Sequence, residues 1–458
     1  MNQDLQLLKG LYNTFDPFRP LEANDPAYVE CEEVRGNDNI LIQLGNEIIL
    51  SDSYTYQLYT GHRGAGKSTE LLRLKKDLED NQYFVVYFAA DEEDIEPEDT
   101  THTDILFACT RHLLEYLKDE ADVKPLIIWL KKRWENIKDL GSTEIKFDNV
   151  NIGANIKQFA KISAILRASP STRQKVRQEV ENHTPSLIEI LNCFIKQAEE
   201  NISKNYNGIV VIVDNLDRIA PVFDKEGKRS NHDQIFIDRS EQLRKLSCHM
   251  IYTVPISMVY SEKSTILEDR FGTIQALPMI MVKTPDEKEY KLGLDKTKEL
   301  IQKRIDKVNQ KLIQNKIYTV KTQKSLLDIF ENDKVLNRLC LMSGGHVRNL
   351  ILLIKTAIQW TKKLPITDKE AERAIRDLRK TFRRGINDNQ WEILANVYLT
   401  KNKLNDSEHK KLLFNRSILE YPPYQNGNTW YDIHPLIFDI PEFQDALKSI
   451  KNQNNTTS

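Results

Sequence analysis

A chain of 458 residues is long enough for roughly two to four domains with a sizeable buried core. Its 65 Lys and Arg residues nearly balance its 67 Asp and Glu residues, so no overall field draws the molecule to nucleic acid or to an anionic membrane. No run of about 18 uncharged apolar residues predicts a membrane span, and the polar start is not typical of a signal peptide. The five cysteines are scattered, which favours free thiols in a reducing compartment, and the expected location is cytoplasmic.

The first predicted strand leads into a glycine-rich motif. Residues 1–53 mix turn signals with short apolar runs and are interpreted as a segment that leads into the core. Aromatic and polar residues alternate in Tyr54–Tyr59, which predicts a strand, and helical periodicity begins at Lys67. The sequence GHRGAGKST between them fits G-x-x-x-x-G-K-[ST] at every fixed position. The residues predicted to hold a nucleotide are Gly61, His62, Arg63, Gly64, Ala65, Gly66, Lys67, Ser68 and Thr69.

The chemistry of this motif, the P-loop (Gly61–Thr69), is that of a triphosphate site. Glycines let the backbone wrap closely enough to turn its N–H groups toward an anion, and the start of the following helix adds partial positive charge. Lys67 would reach the β- and γ-phosphates, and the Ser68 hydroxyl would ligate Mg²⁺. The expected cofactors are therefore ATP and Mg²⁺.

Further along the chain, buried-strand patterns alternate with helical ones. Continuous apolar runs lie at Tyr83–Ala89, Ile209–Val213 and Met250–Val254, and a fourth at Ile274–Val282 is interrupted by Pro278. This alternation predicts an α/β core with a parallel sheet over residues 54–285. Residues 118–185 exceed what a compact core needs and are interpreted as a largely helical insertion, with a role in docking a partner or in regulation.

The apolar run Val210–Val213 ends in a carboxylate, Asp214, which suits the Mg²⁺ ligand of a P-loop ATPase. Asn215 follows it and cannot act as a base, so Asp217 is the nearest candidate acid for activating water, although it could equally cap a turn. This pattern predicts slow turnover. The residues expected to take part in hydrolysis are Lys67, Asp214 and Asp217, and the family resemblance described below adds Arg348.

The C-terminal third is mostly helical in pattern. Residues 286–384 are interpreted as a helical lid, and residues 385–450 as a small domain with short helices and a hairpin signalled by Gln425–Asn428. The polar tail 451–458 is expected to be disordered. In the lid, Ser343-Gly344-Gly345 precedes a long helix and places Arg348 in its first turn, where a phosphate would relieve an unfavourable dipole interaction.

Three segments together resemble the AAA+/STAND class of P-loop ATPases: Gly61–Thr69, Val210–Arg218 and Ser343–Asn349. The D-x-L-D pattern after the acidic strand is similar to that of NACHT modules, and D-x-L-D-R to that of KAP ATPases. The resemblance implies an AAA+-type lid and a C-terminal winged-helix domain over residues 385–450.

The resemblance also implies roles for single residues. Thr253 would sense the γ-phosphate, with a β-branched strand residue as the alternative, and Arg348 would reach the nucleotide from the lid. His434 lies where STAND proteins place a histidine that contacts the β-phosphate of ADP, but Pro435 replaces the aspartate that usually follows it.

The expected function is an ATP-binding, slowly hydrolysing switch that oligomerises or controls a separately encoded partner, with bacterial defence or signalling as an expectation from the family alone. One alternative is an ATP-dependent DNA loader that resembles origin-recognition ATPases, and another is a scaffold without turnover. A basic run that begins at Arg376 could contact DNA phosphates, but an intramolecular role for it is favoured. No membrane partner is expected.

Overall fold

The structure is a computed structural model that describes residues 3–37, 39–137, 157–158, 161–164, 167, 169–223, 229–425 and 427–456. About a third of the predicted insertion at 118–185 therefore lies outside the described residues, as do Asn426 of the hairpin signal and the tail residues 457–458. Within the described part of the chain, no helix combines the length and apolar character that a bilayer span requires.

Helices of eight or more residues are numbered in chain order: α1 Gln3–Thr14, α2 Lys67–Asp80, α3 His102–Leu117, α4 Lys124–Asn136, α5 Pro170–Asn182, α6 Thr184–Ile202, α7 Ser264–Phe271, α8 Lys291–Gln314, α9 Asp333–Met342, α10 Val347–Trp360, α11 Asp368–Arg384, α12 Trp391–Thr400, α13 Ser407–Phe414 and α14 Pro441–Thr456. The strands are β1 Tyr56–Gly61, β2 Phe84–Ala89, β3 Ile209–Asp214, β4 His249–Thr253, β5 Gln275–Leu277, β6 Ile418–Tyr421 and β7 Trp430–Ile433.

The predicted parallel α/β sheet is confirmed. Its five strands run in the order β2-β3-β4-β1-β5, and β2 with β3, β3 with β4 and β1 with β4 pair in parallel. Every residue of β3 is buried, which explains its unbroken apolar sequence. The fourth predicted strand is much shorter than its apolar run, because β5 ends at Leu277 and Pro278 has no N–H to donate to a ladder.

The chain divides into two compact units. The core unit comprises residues 40–60 and 73–275, and the P-loop–lid unit comprises residues 1–39, 61–72 and 276–458. In the core unit, α3 packs on β2 and α6, and α4 packs on α6, around a continuous apolar core. A capping box between Thr101 and Asp104 fixes the start of α3.

The P-loop–lid unit is built mainly from helices. The N-terminal helix α1 packs on α8 and α10, and α10 packs on α11, so the beginning of the chain is part of the lid. Farther along, α12 packs on α14, and β6 and β7 pair antiparallel on either side of the predicted hairpin turn. The assignment of residues 385–450 as a winged helix stays a prediction.

The predicted disordered tail needs correction. Helix α14 continues to Thr456, so most of the segment 451–458 is helical. Phe443 and Leu447 anchor this helix in the interior, one turn apart, and the polar residues after them extend it. Polar composition alone does not reveal such an anchor.

Candidate functional site

At three positions the P-loop backbone adopts a conformation that glycine adopts readily and other residues adopt rarely. Gly61, Gly64 and Gly66 have φ values of +142°, +95° and +120°. Between them the amide of Ala65 donates to the carbonyl of His62 over 3.0 Å, and α2 begins at Lys67. A loop that wraps in this way at the start of a helix provides backbone N–H groups for an anion.

Lys67 lies inside this loop. Its side chain is only 5% exposed, and its ammonium donates to the carbonyl oxygens of Gly61 at 2.8 Å and His62 at 3.2 Å. The role of Lys67 at the β- and γ-phosphates of a nucleotide stays a prediction. The hydroxyl of Thr69, two residues on, accepts a hydrogen bond from the amide of Leu21 at 3.1 Å. The N-terminal segment therefore contacts the P-loop helix directly.

Arg35 supports the loop from another side, a role that the sequence analysis did not identify. Its buried guanidinium donates to the carbonyl oxygens of Ala65 at 2.8 Å and Pro278 at 2.7 Å. No motif surrounds Arg35, so no pattern in the sequence could have linked it to the P-loop.

The lid contacts the P-loop backbone through the start of α10. His346 caps this helix, because its Nδ1 accepts a hydrogen bond from the amide of Asn349. That bond leaves the ring proton on Nε2, which donates to the carbonyl of Arg63 at 2.9 Å. The amide of Arg348 donates to the carbonyl of Gly64 at 3.1 Å. Two successive carbonyls of the P-loop are thus held by one helix end of the lid.

Arg348 itself has the place that the sequence predicts, in the first turn of α10 beside the P-loop. Its Nε donates to the carbonyl of Pro17 at 3.0 Å, and its guanidinium lies 5.9 Å from the centre of the Phe18 ring. An added Cβ on Gly64 would lie 2.8 Å from the Cβ of Arg348. The role of Arg348 at a γ-phosphate stays a prediction.

The region after the lid also contacts the P-loop, through His62. The backbone amide of Glu420 in β6 donates to His62 Nε2 at 2.9 Å, and the ring is fully buried. Burial, together with the charge of Lys67, lowers the pKa of His62 from 6.5 to about 3, so the imidazole is neutral and can accept this bond.

His434 lies in the same region and contacts the lid. The side-chain amide of Asn349 is 2.7 Å from its Nε2, its Nδ1 accepts from the amide of Leu436, and its ring packs on Phe382 with centroids 4.2 Å apart. Burial holds the pKa of His434 well below its ordinary value. These contacts connect the segment after β7 to α10. Contact with a β-phosphate stays a prediction.

Arg416 is a second residue that the sequence analysis missed. Burial and then the charge of Arg63 lower the pKa of Arg416, so its guanidinium is affected by the charge of a P-loop residue. The charge of Arg416 also contributes to the lowered pKa of His62, His346 and His434. Its backbone has φ of +68°, just after α13, in a turn without any recognisable motif. Because a guanidinium is repelled by neighbouring cations, the binding of an anion beside it would be favourable.

The residues predicted to complete the site belong to the core unit. Asp214 ends β3 with 1% exposure, and it accepts hydrogen bonds from the Tyr87 hydroxyl at 2.8 Å and the Asn215 amide at 2.6 Å. Asp217 lies two residues beyond Asn215, buried in a short 3₁₀ turn. Tyr87 orients the Asp214 carboxylate and was not identified from the sequence.

Thr253 is engaged with the backbone that surrounds Asp214. Its hydroxyl accepts from the amide of Leu216 at 2.9 Å and lies 3.4 Å from the carbonyl of Val213, to which it donates. The side chain is completely buried. These bonds give Thr253 a positioning role at the end of β3, and the role as a γ-phosphate sensor stays a prediction.

Three cations of the basic run at the end of α11 form ion pairs within the protein. Arg379 contacts Asp439 at 2.6 Å, Arg383 contacts Glu442, and Lys380 contacts Asp377 at 3.1 Å. On α13, Lys411 contacts Glu408 at 2.6 Å. These ion pairs support the intramolecular role that the sequence analysis favoured for this run.

Comparison with known proteins agrees with the loop geometry. Residues 46–223 match the family model described as KAP family P-loop domain. A search of curated proteins returned no match. Together, the match and the P-loop conformation identify a P-loop NTPase domain, as the sequence predicted.

Several solved structures are similar over nearly the whole chain, each at 11% identity. The ORC2 protein of Aeropyrum pernix, in ADPNP–ADP complexes, has a TM-score of 0.44 over 97% of this chain and 98% of that chain. A Walker-type ATPase of Pyrococcus abyssi has a TM-score of 0.41 over 95% and 99% of the two chains. Cdc6p from Pyrobaculum aerophilum has a TM-score of 0.38 over 96% and 98%.

Proposed function

Since residues 46–223 match a KAP family P-loop domain, we propose that this chain is an ATP-binding switch whose lid and C-terminal hairpin respond to the nucleotide at the P-loop. One observation carries the proposal: Arg63, Gly64 and His62 of the loop are hydrogen-bonded to His346, Arg348 and Glu420. A phosphate that reorganises the loop must change those bonds, and the lid and hairpin then respond.

In the proposed site, Lys67 binds the β- and γ-phosphates, and Ser68 and Asp214 hold Mg²⁺. The metal ion neutralises phosphate charge when it is bound. The glycine conformations and the buried Lys67 fit a bound triphosphate, and Tyr87 keeps the Asp214 carboxylate in one orientation. Arg348 and Arg416 approach the phosphates from the lid and from the turn after α13, with His434 and Thr253 as further candidate contacts.

Slow hydrolysis would reset the switch. Asn215 accepts no proton from water, so Asp217 is the proposed base. The output would be a surface that recruits a second copy of this chain or a separately encoded partner, in a defence or signalling system or elsewhere. The ion pairs of Arg379 and Arg383 on α11 favour an intramolecular role for these two cations over the DNA-loader alternative.

The test is hydrogen exchange of residues 343–350 and 418–433 with ADP, a non-hydrolysable ATP analogue or no nucleotide. We expect the two nucleotides to protect these segments differently, and Lys67→Ala to abolish both effects. Lys75→Ala, a change in the surface pair with Glu79, is the matched control and should behave as wild type. Equal exchange with both nucleotides would leave a scaffold as the function.

Light scattering on the same samples addresses the output. Assembly that requires the ATP analogue and ignores duplex DNA agrees with the switch. Assembly that occurs only with DNA, and weakens steeply with salt, would instead establish the loader.

A further inference from the structure

A cavity lies in the P-loop–lid unit, and no residue of the P-loop lines it. It has a volume of about 780 Å³ and lies between α1 and α8, with residues 16–25 on one side. Sites for small molecules have volumes of this order. Its walls are polar at many positions, which distinguishes it from an apolar packing defect.

The lining carries more positive than negative charge. Arg304, Lys307 and Lys311 follow one face of α8, because their spacing of three and four residues matches the helical repeat. The cationic lining residues are Lys9, Arg19, Arg304, Lys307 and Lys311, and the acidic ones are Asp16, Glu22 and Asp25. The ammonium of Lys307 pairs with Asp25 at 2.6 Å, so one of the three carboxylates is already engaged.

Arg304 is the buried member of this set, with 5% exposure. Its guanidinium donates to the carbonyl of Leu300, one turn earlier in its own helix, at 2.9 Å. Burial lowers its pKa to about 10, against the opposing influence of the Asp25 carboxylate. A buried cation is costly unless an anion compensates it. Asp25 supplies part of this compensation, and an anionic ligand in the cavity that Arg304 lines would add to it. The mouth carries the exposed side chains of Lys9, Arg19 and Lys311.

One wall of the cavity is connected to the nucleotide-binding elements. The carbonyl of Pro17 accepts from Arg348 Nε at 3.0 Å, and the amide of Leu21 donates to Thr69 at 3.1 Å. Asp16, Arg19 and Leu21 of this same segment line the cavity. A ligand that moves residues 16–22 therefore acts on α10 and on the P-loop helix together.

We propose that the cavity between α1 and α8 is an allosteric site for a small phosphorylated molecule, coupled to the P-loop through residues 16–22. The recess favours a small molecule over a nucleic acid or a membrane, because its buried cation lies within a concave wall and not on an open face. The existence of this site does not depend on the proposed switch function. Only its coupling to the P-loop rests on that function.

The test is calorimetric titration of inorganic pyrophosphate into the 458-residue chain already saturated with ADP, so that the P-loop is filled. We expect one further site, and at least about tenfold weaker binding in Lys311→Glu. Lys303→Glu is the matched control, since it reverses the same charge on the same helix at a position outside the cavity, and it should bind as wild type. Absence of binding, or equal weakening by both variants, would overturn the site.

Two further arms decide the coupling and the ligand class. Saturation with a non-hydrolysable ATP analogue in place of ADP should change the pyrophosphate Kd by at least about threefold, because coupling between sites is reciprocal. An unchanged Kd would overturn the coupling while leaving the site. A single-stranded oligonucleotide that binds where pyrophosphate does not would assign the cations to nucleic acid and refute the small-molecule site.

Discussion

Gly64→Ala tests whether the close approach of the lid to the P-loop matters for nucleotide binding. Gly64 has φ of +95°, and an added Cβ would lie 2.7 Å from His346 Cε1 and 2.8 Å from the Cβ of Arg348. Neither neighbour is the free end of a flexible chain, because His346 is tied to Arg63 and the Cβ of Arg348 belongs to the first turn of α10. The methyl group must therefore displace either the loop or the lid.

The expected cost has two parts. An unfavourable backbone conformation for a residue with a Cβ costs about 1–3 kcal/mol. Overpacking of a filled space costs about 1–3 kcal/mol more. If about 3 kcal/mol of the total opposes the binding-competent arrangement, the ADP Kd rises by roughly two orders of magnitude.

Two other glycines separate the contributions. Gly272 has φ of +77° with nothing within 4 Å of an added Cβ. Gly272→Ala should therefore show the free-energy cost of the backbone conformation without any cost of overpacking. Gly385 has ordinary φ and contacts no closer than 3.6 Å, so Gly385→Ala should be nearly neutral. The assays are calorimetric ADP binding and thermal unfolding without nucleotide. If Gly64→Ala bound ADP as tightly as Gly385→Ala, the reasoning about the lid contact would be refuted.

Three further predictions concern charge and turnover. The pKa of His62 in the folded protein, about 3, is below the 6.5 of a free imidazole, so the contribution of His62 to stability is present above pH 6.5 and is lost as pH falls. His62→Gln should therefore reduce the dependence of the unfolding free energy on pH, on the acid side, by up to ~1.4 kcal/mol per pH unit. An unchanged slope, measured down to about pH 5, would contradict the assignment. Arg416→Ala should weaken ADP binding about tenfold, measured by calorimetry, whereas the control Lys410→Ala on α13 should leave it unchanged. Equal ADP affinities in the two variants would show that Arg416 does not contact the nucleotide. Steady-state phosphate release should give kcat below about 10 s⁻¹, because Asn215 follows Asp214, and a faster rate would show that another base acts there.

The sequence by itself determined the features that depend on local chemistry. The P-loop requires glycines and a lysine at fixed spacing, because its backbone must wrap around a phosphate, and this spacing is visible without a structure. The apolar run that ends at Asp214 predicts a strand with both faces packed against other elements, because neither face then contacts water. This prediction is confirmed, since every residue of β3 is buried. The length of β5 and the helical tail were predicted less well, because Pro278 and the buried anchor Phe443 act through tertiary context.

The tertiary structure alone decided what surrounds the P-loop. The carbonyl of Arg63 is bonded to His346, 283 residues away, and His62 to Glu420, 358 residues away. Hydrogen bonds across such separations leave no periodicity and no motif, because a partner on another element needs only the right atom at the right place. For the same reason Arg35 and Arg416 escaped prediction: a single arginine in a turn has the same local signature whether it faces water or a phosphate site.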